Sequence, residues 1–480
     1  MRLSDLVHRD LPVDPDITGV TADSRLVRPG FLFAALPGAK IDGRDFVPAA
    51  MAAGAAAILA GGDIPGLNAP VVSDPDPRRA YALAAAAFWG AQPRTCLAVT
   101  GTNGKTSVAT FCRQIFTRLG RSAASMGTLG VRAGDEQITP PGLTTLDAAD
   151  MAKMLAQLAE RGVTHVALEA SSHGIAQRRL DGVRFTAAGF LNLTQDHLDY
   201  HGTMGAYRAA KLRLFQDLLP RGATAVLNAD SDQFEVFAAT AIQAGQAILS
   251  VGENGQSLKL ASRTPAPGGQ RLRVLEHGHR YDLNLPLVGA FQASNALVAA
   301  GLCIAAGETP EAVLAALEHI EGAPGRLQRV GSGPRGGVAY VDYAHTPDGL
   351  ETVLTALRPH VTGRLIVVFG AGGDRDHGKR PQMGAIAARL ADNAIVTDDN
   401  PRSETPDAIR AAILAAAPGA REIGDRREAI RAAAEMLRDG DVLVVAGKGH
   451  EKVQTIAGVN HPFDDVRETA EALGLACVHG

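Results

Sequence analysis

The segment Val99-Thr100-Gly101-Thr102-Asn103-Gly104-Lys105-Thr106-Ser107 has the residue types of a phosphate-binding loop, and it lies between a predicted buried strand and a predicted helix. Glycines let backbone N–H groups curl around phosphate oxygens, and a helix N-terminus adds positive potential. Lys105 can reach the β- and γ-phosphates, and Thr106 can ligate Mg²⁺. Val99 stands where the usual G-x-x-x-x-G-K-[ST] pattern has its first glycine, so the loop is a variant. The segment predicts a nucleoside triphosphate site.

Glu169 follows the next predicted strand, 164–168. A carboxylate at a strand end beside a phosphate loop is well placed to hold Mg²⁺. Glu169 and the phosphate loop together therefore predict a site for a magnesium–nucleotide complex. No Ser-His-Asp arrangement is apparent in the sequence, so a protein nucleophile is not predicted.

The elements that must position these residues alternate between strands and helices. Apolar runs predict strands at 95–99, 164–168, 364–369, 393–397 and 442–446. Amphipathic patterns predict helices at 78–89, 105–119, 148–161, 291–306, 383–390, 407–416 and 427–437. Short alternating runs between 250 and 287 predict hairpins. The alternation predicts an α/β fold, in which helices cover both faces of mostly parallel sheets.

Length and composition set the number of domains. The chain has 480 residues, of which 46% are hydrophobic and only 4% aromatic. Such a length predicts about three domains, with cores built from small aliphatic residues. Linker-like segments at 90–93 and 321–325 place the boundaries, so we expect a small mixed α/β domain (1–90), a central phosphate-loop domain (91–323) and a C-terminal domain (324–480).

Charge and cysteine usage exclude several function classes. The formal net charge of -4 argues against a general nucleic-acid binder, whose footprint is basic. The four scattered cysteines contain no C-x-x-C pair, and they predict buried thiols in a reducing compartment. The N-terminus lacks the apolar core of a signal peptide, and the most apolar stretch is too short to span a membrane. We expect a monomeric, cytoplasmic protein. We also expect its substrates to be small molecules.

Three motifs in order, Gly101 to Thr106, Glu169-Ala170-Ser171-Ser172-His173-Gly174 and Asn192-Leu193-Thr194-Gln195-Asp196-His197-Leu198-Asp199-Tyr200-His201-Gly202, resemble the central-domain signature of the Mur ligases. The resemblance covers essentially the whole chain. It implies a three-domain body: a domain for a uridine nucleotide, an ATP domain and a Rossmann-like domain for an amino acid. It also implies stepwise chemistry, in which ATP phosphorylates a carboxylate and an amine attacks the acyl phosphate.

The resemblance assigns further residues around ATP and Mg²⁺. It implies metal ligands at Thr106, Glu169, His197 and Lys211, the last as a carbamylated lysine. Lys105, Glu169, His197 and Lys211 are the implied catalytic set. ATP contacts are implied for the loop residues Gly101, Thr102, Asn103, Gly104, Lys105, Thr106 and Ser107, and for Asn295, Arg326, Asp342 and His345.

The resemblance likewise implies a uridine-nucleotide site formed by Ala22, Ser24, Ala39, Lys40, Ile41, Thr144, Thr145, Ser171, Gln177 and Arg179. This chain departs from the family pattern at Leu143, where asparagine is common, and at Ala39-Lys40-Ile41. These departures affect individual contacts and leave the substrate class unchanged.

The tetrapeptide Asp399-Asn400-Pro401-Arg402 resembles the recognition loop of the diaminopimelate-adding branch of the family. It lies just after the carboxyl end of the predicted strand 393–397, and α/β sheets bind ligands at the carboxyl ends of their strands. Diaminopimelate is lysine with one extra carboxylate, which the planar guanidinium of Arg402 can bind bidentately. The resemblance adds Arg375, Gly447 and Glu451 to this site. The expected activity is the addition of meso-diaminopimelate to UDP-N-acetylmuramoyl-L-alanyl-D-glutamate.

Four alternatives stay open at this point. The first is a lysine-adding sister ligase, and the second is a folylpolyglutamate synthetase-like enzyme, which lacks the Asp-Asn-Pro-Arg loop. The third is a regulatory phosphate-loop NTPase, which would hydrolyse nucleotide without any amino acid. The fourth is a non-catalytic paralogue, which should have lost Lys105, Glu169 or His197, and all three are present.

Overall fold

A computed structural model describes residues 1–38 and 41–475 of the chain. These residues form two compact units. The first comprises Met1–Leu260, Leu275–His279 and Ala296–Ala316, and the second comprises Ala261–Val274, Arg280–Asn295 and the chain from Leu317 onwards. Across the described ranges, no helix is both long and apolar enough to cross a bilayer.

The N-terminal part of the first unit holds a four-stranded sheet whose neighbouring strands are all parallel. Successive strand residues point to opposite faces, so Leu32 packs into one core with Tyr81 while Phe33 packs into another with Ile58. Its strands are β1 Gly19–Thr21, β2 Phe31–Ala35, β3 Ala57–Ala60 and β4 Val71–Ser73, and its helices are α1 Leu3–Val7, α2 Val47–Ala52 and α3 Pro77–Trp89.

Eight strands of an 11-stranded sheet lie in the first unit. They are β5 Thr95–Thr100, β6 Ala123–Gly127, β7 Gly130–Ala133, β8 Glu136–Thr139, β9 His165–Glu169, β10 Ala187–Phe190, β11 Thr224–Asn228 and β12 Ala247–Gly252. Their order is β12-β11-β10-β5-β9-β6-β7-β8. The strands from β12 to β6 are parallel, and β6-β7-β8 is an antiparallel meander. All six residues of β5 are buried, as expected for a parallel strand covered on both faces.

Helices flank this sheet: α4 Lys105–Arg118, α5 Ala148–Glu160, α6 Ser172–Ala176, α7 Leu198–His201, α8 Met204–Arg213 and α9 Phe234–Gln243. Phe190 of β10 stacks on Phe237 of α9 with ring centroids 3.6 Å apart, in a core otherwise rich in aliphatic residues. The chain then forms β13 Leu258–Ala266, β14 Gly269–Glu276, β15 His279–Leu285, α10 Ala290–Ala305 and α11 Pro310–Ala316. The strands lie where the sequence predicts hairpins.

The second unit contains a six-stranded sheet with two apolar cores and the order β16-β17-β21-β18-β19-β20. Only the pairing of β16 with β17 is antiparallel. The strands are β16 Gln328–Gly333, β17 Gly336–Asp342, β18 Leu365–Phe369, β19 Asn393–Val396, β20 Arg421–Glu422 and β21 Val442–Ala446, followed by the hairpin β22 Val453–Ile456 and β23 Val459–Pro462. The helices are α12 Pro347–Leu357, α13 Lys379–Leu390, α14 Pro406–Leu414, α15 Arg426–Met436 and α16 Asp465–Ala472.

The predicted α/β class with a mostly parallel central sheet is confirmed. Most predicted strands and helices start and end within a few residues of the observed ones. The sequence did not predict the meander β6-β7-β8, whose short, half-buried strands have little apolar periodicity. Helix α13 begins at Lys379 rather than 383, because its first turn is polar and the apolar pattern starts later. The domain boundaries at 90 and 323 stay predictions.

Candidate active site

The loop between β5 and α4 curls back on itself around the side chain of Lys105. The Lys105 ammonium donates to the carbonyl oxygens of Gly101 and Thr102, both at 2.8 Å. Gly104 caps α4 with a φ of 90°, a left-handed conformation that a side chain would strain. The N–H groups at the start of α4 therefore follow a tight, lysine-centred turn, which is the arrangement that phosphate binding requires.

A second loop, which follows β10, holds this turn in place. Asn192 bonds Asn103 twice: its Oδ1 accepts from the Asn103 amide at 2.9 Å, and its Nδ2 donates to the Asn103 carbonyl at 3.2 Å. The Thr102 hydroxyl donates to the Thr194 carbonyl at 3.1 Å and accepts from the Thr194 amide at 2.9 Å. Asn192 and Thr194 are positioning residues that the sequence did not single out, although both lie in the quoted motif.

Glu169 lies at the end of β9, with its side chain buried against α4 and the β6–β7 turn. Its Oε2 accepts from the Thr106 hydroxyl at 3.0 Å, so these two predicted metal ligands lie together. Its Oε1 accepts from the Thr128 amide at 2.9 Å. A Cβ at Gly127 would lie 2.0 Å from Oε1, so only glycine leaves room for this carboxylate. Thr128 gave no signature in the sequence.

The structure places Lys211 in α8, with only 1% of the residue exposed. Its ammonium donates to the Gly101 carbonyl at 2.8 Å and lies 4.4 Å from the centroid of the Tyr207 ring. Burial, and next the charge of Lys105, hold the pKa of Lys211 well below its usual value. Lys211 is therefore not an ordinary surface lysine, and it lies beside the phosphate-loop turn.

His197 belongs to a cluster of aromatic and imidazole rings. It adopts a left-handed backbone (φ 53°), and its side chain is 44% exposed. Its ring centroid lies 4.8 Å from that of His173 and 6.1 Å from that of Tyr207. His201 donates to or accepts from the Ser172 hydroxyl at 3.0 Å. Burial and the neighbouring histidines lower the pKa of His173 and of His201, so both favour the neutral imidazole.

Five predicted substrate residues form one connected network. Thr145 donates to the Glu169 carbonyl at 2.8 Å and contacts the Ser171 hydroxyl at 2.9 Å. Arg179 donates to the Thr145 carbonyl at 2.7 Å and to Gln177 Oε1 at 2.7 Å. The fifth residue, Thr144, lies 3.0 Å from Thr128, between their hydroxyl oxygens. This network joins the predicted substrate residues to the strand that carries Glu169.

Three more of the predicted uridine contacts, Ala22, Ser24 and Ile41, lie in segments that follow strands of the N-terminal sheet. Ala22 follows β1 and is half-buried, and Ser24 begins a short 3₁₀ turn capped by Asp23. Ile41 is 56% exposed. Ala39 and Lys40 lie outside the described residues.

In the second unit, Arg326, Asp342 and His345 surround Tyr343. The Arg326 guanidinium carbon lies 4.6 Å from the Tyr343 ring centroid, and the His345 ring lies 4.6 Å from it. Asp342 accepts from the Leu327 amide at 2.6 Å and from the Ala344 amide at 2.8 Å. Burial raises its pKa to about 6. Asn295 is buried and donates to Gln292 at 3.2 Å.

The loop after β19 brings Asn400 and Glu451 together. Asn400 Nδ2 donates to Glu451 Oε2 at 2.8 Å. Lys448, with no exposed surface, donates to Asn400 Oδ1 at 3.0 Å and to Glu451 Oε2 at 3.1 Å. Lys448 thus orders two predicted recognition residues, and sequence analysis assigned it no role.

Arg402 has a left-handed backbone (φ 54°), and its Nη1 donates to the Gly373 carbonyl at 2.6 Å. Asp399 is buried next to Gly447, and its Oδ2 has no hydrogen-bond partner among residues 1–38 and 41–475. Pro401 is buried, and Arg375 is exposed. The predicted diaminopimelate residues therefore lie on neighbouring loops at the carboxyl ends of β18, β19 and β21.

The chemistry of the site suits Mg²⁺. In the part of the chain that the structure describes, no three histidine, cysteine or carboxylate side chains are grouped as a metal cage. Mg²⁺ needs no such cage, because it keeps several waters and binds through one or two carboxylates together with substrate phosphates. The paired oxygens of Thr106 and Glu169, beside a phosphate-type loop, fit that pattern.

Comparison with known proteins extends these observations over the whole chain. Residues 16–89 match the model described as "Mur ligase family, catalytic domain", residues 99–303 match "Mur ligase middle domain", and residues 325–449 match "Mur ligase, glutamate ligase domain". The three matches follow the order of the three sheets described above.

Two relatives carry the name UDP-N-acetylmuramoyl-L-alanyl-D-glutamate--2,6-diaminopimelate ligase. The protein from Caulobacter vibrioides is 70% identical over 478 residues, which cover 98% of each chain. The protein from Bradyrhizobium diazoefficiens is 52% identical, over 98% of this chain and 99% of its own. A solved structure of a ligase of that name superposes with a TM-score of 0.76 at 35% identity, covering 99% of both chains. The matched domains, the identities over nearly full length and the shared three-domain fold show that this chain belongs to the Mur ligase family.

Proposed function

We propose that this chain is an ATP-dependent ligase that adds meso-diaminopimelate to UDP-N-acetylmuramoyl-L-alanyl-D-glutamate, a step that builds a peptidoglycan precursor. The observation that carries the proposal is the 70% identity, over 98% of both chains, to a ligase named for this reaction. The lysine-centred loop, the Thr106–Glu169 oxygen pair and the ordered Asn400–Glu451 loops support it.

Each predicted domain takes one substrate in this proposal. Residues 1–90 bind the uridine nucleotide through Ala22, Ser24, Ala39, Lys40 and Ile41, together with the central-domain network of Thr144, Thr145, Ser171, Gln177 and Arg179. Residues 91–323 bind ATP through the loop from Gly101 to Ser107, with Asn295. Residues 324–480 bind diaminopimelate through Arg375, Asp399, Asn400, Pro401, Arg402, Gly447 and Glu451, and Arg326, Asp342 and His345 are their proposed ATP-binding residues.

The reaction transfers the γ-phosphoryl group of ATP to a substrate carboxylate. The amine of diaminopimelate then attacks the acyl carbon, the C–O bond to phosphate breaks, and phosphate leaves while the amine loses a proton. The protein supplies charge and alignment rather than a nucleophile. Lys105 neutralises charge on the transferring group. Thr106 and Glu169, together with His197 and a carbamylated Lys211, would hold Mg²⁺, and the bound ion would supply additional charge neutralisation.

Selectivity for diaminopimelate over lysine follows from one charge. Arg402 pairs with the carboxylate that lysine lacks, and lysine would leave the guanidinium unpaired in a partly dry site. Such an unpaired group costs roughly 2–5 kcal/mol. The Gly373 carbonyl bond leaves the remaining N–H groups of Arg402 available as donors.

A phosphate-release assay tests the proposal, with purified protein, UDP-muramoyl dipeptide, ATP, Mg²⁺ and a panel of amino acids. We expect release that requires both the dipeptide nucleotide and meso-diaminopimelate, with kcat/KM for L-lysine at least ~30-fold lower. Lys105→Ala is the negative control. We expect it to fold but to be inactive, because it loses several kcal/mol of transition-state stabilisation.

Comparable kcat/KM values for lysine would identify a lysine-adding sister enzyme instead. Phosphate release without any amino acid would identify a regulatory NTPase. The monomeric state and the cytoplasmic location stay predictions.

A further inference from the structure

Four hydroxyl and carboxylate groups form a chain that runs from the phosphate loop to the predicted substrate residues. The Thr106 hydroxyl donates to Glu169 Oε2 at 3.0 Å, and the Thr128 hydroxyl donates to the same oxygen at 3.2 Å. Thr128 and Thr144 then share a hydroxyl–hydroxyl bond at 3.0 Å. The chain Thr106–Glu169–Thr128–Thr144, here called the hydroxyl relay, therefore connects the predicted metal ligands to the predicted uridine-nucleotide site.

The direction of each bond in the relay is determined by proton count. A hydroxyl has one proton to donate and two lone pairs that accept. The Thr128 proton points to Glu169, so the bond to Thr144 must be donated by Thr144. With its proton donated to Thr128, the Thr144 hydroxyl offers a ligand only lone pairs, which the phosphate and carboxylate oxygens of an anionic substrate cannot use.

We infer that Thr128 is a positioning residue that couples metal–nucleotide binding at Glu169 to binding of the anionic uridine-nucleotide substrate at Thr144. When Glu169 gives Oε2 to a cation, it is a poorer acceptor for the Thr128 proton. Thr128 can then turn its proton to Thr144, and the Thr144 proton turns outwards as a donor to the substrate. This inference rests on the function proposed above, and it adds a residue and a linkage to it.

The carboxylate of Glu169 is held more closely by its surroundings than the hydroxyls of Thr128 and Thr144 are. Thr128 and Thr144 are half-buried, while Glu169 is 3% exposed. The Thr128 amide holds Glu169 Oε1 at 2.9 Å, in the space that a Cβ at Gly127 would fill. A cation at Oε2 therefore acts first on the two hydroxyl protons that this oxygen accepts.

Equilibrium binding measures this linkage directly. The Kd of UDP-muramoyl dipeptide is determined by calorimetry with and without Mg²⁺ and a saturating non-hydrolysable ATP analogue. For the wild type, we expect the analogue with Mg²⁺ to tighten dipeptide binding at least ~5-fold, within the usual range of coupling between sites. Thr128→Val, which has no proton to relay, should bring this ratio to within about twofold of one. Thr128→Ser keeps the hydroxyl, so its ratio of Kd values should be close to that of the wild type.

Thr139→Val is the matched control, because it removes a hydroxyl from the same meander without touching the relay. The Thr139 hydroxyl accepts from the Val131 amide at 3.0 Å, so its loss has a similar structural cost. If Thr128→Val does not fold, Thr144→Val takes its place, because it breaks the relay at the other end. It should also bring the ratio of Kd values close to one.

The possible outcomes separate the two proposals. A wild type that makes product but shows no linkage, or a Thr128→Val protein with unchanged linkage, overturns the relay and leaves the ligase function standing. Failure of Thr128→Ser to restore the ratio also overturns it. A wild type that neither binds the dipeptide nucleotide nor releases phosphate with diaminopimelate overturns the proposed function itself.

Discussion

Lys105 and Lys211 share one acceptor: each ammonium donates to the Gly101 carbonyl oxygen at 2.8 Å. The two lysines come from different helices, α4 and α8, and Lys211 is almost completely buried. Burial, followed by the charge of Lys105, lowers the pKa of Lys211. A neutral amine is the form that can react with carbon dioxide, so this pair creates the condition that a carbamate on Lys211 would need.

We predict that Lys211→Ala lowers kcat at least ~100-fold, the usual scale for the loss of one preorganised electrostatic group. Acetate or formate should partially restore its turnover, because a short carboxylate can take the place of the carbamate oxygens. Lys211→Arg should not respond, since the guanidinium fills the space and keeps a positive charge. The measurement is turnover with and without each acid.

Arg208→Ala serves as the control for α8, because Arg208 lies on the same helix and donates to Gln233 at 3.2 Å rather than to the phosphate loop. Extra density on the Lys211 amine in a metal-loaded crystal would support the carbamate. An active Lys211→Ala enzyme, or an unmodified ammonium in such a crystal, would contradict the proposal.

Arg402→Ala should lower kcat/KM for meso-diaminopimelate at least ~30-fold, because the second carboxylate loses its charged partner. L-Lysine has no such carboxylate, so its kcat/KM should change far less. The ratio of kcat/KM for meso-diaminopimelate to kcat/KM for L-lysine should therefore fall towards one. Kinetics with both amino acids measure the ratio. The exposed Arg431 on α15 provides an Arg→Ala control. An unchanged preference in Arg402→Ala would move the recognition role elsewhere, with Arg375 the next candidate.

Lys448→Met should raise KM for diaminopimelate, because both Asn400 and Glu451 lose the donor that orders them. A buried acceptor left without its donor costs about 1–3 kcal/mol, so kcat/KM should fall about 5- to 150-fold. Lys452→Met is the matched control, since its ion pair with Asp464 is largely exposed (64% for Lys452) and contributes little. Equal effects of the two substitutions would show that Lys448 has no special role.

The stability of the chain should depend on the protonation of His450. Burial, and next the charge of Arg326, lower the pKa of His450 from 6.5 to about 4. Between these two pH values the unfolded chain binds more protons at this histidine than the folded chain does. The free energy of unfolding should therefore fall as pH falls through this window, by at most about 3 kcal/mol from this group.

Urea unfolding of the wild type and of His450→Gln at pH 6.5, 5 and 4 measures this contribution. The decline should be smaller in the variant, and His461→Gln, at an exposed position, should follow the wild type. Parallel declines in wild type and His450→Gln would show that the acid sensitivity comes from other groups.

Much of the fold could be predicted from local patterns. Strand β5, the turn at Gly104 and helix α4 are specified by an apolar run, a glycine and a helical pattern within about twenty residues, and the structure has them where expected. The start of helix α13 and the meander β6-β7-β8 were harder to predict, because a polar first turn and half-buried strands show little hydrophobic periodicity. The resemblance to a family, which rested on motifs in a fixed order, was confirmed by matches over most of the chain.

The sequence by itself determined the phosphate loop, the alternation of strands and helices and the identity of the candidate residues, because each depends on neighbours in the chain. Only the tertiary structure decided that Lys211 meets Gly101, 110 residues away, and that Thr128 meets Glu169, 41 residues away. Both contacts depend on which strands are neighbours: β10 and β9 flank β5, and β6 lies beside β9. No local pattern encodes that order, since it follows from how all the apolar faces are buried together.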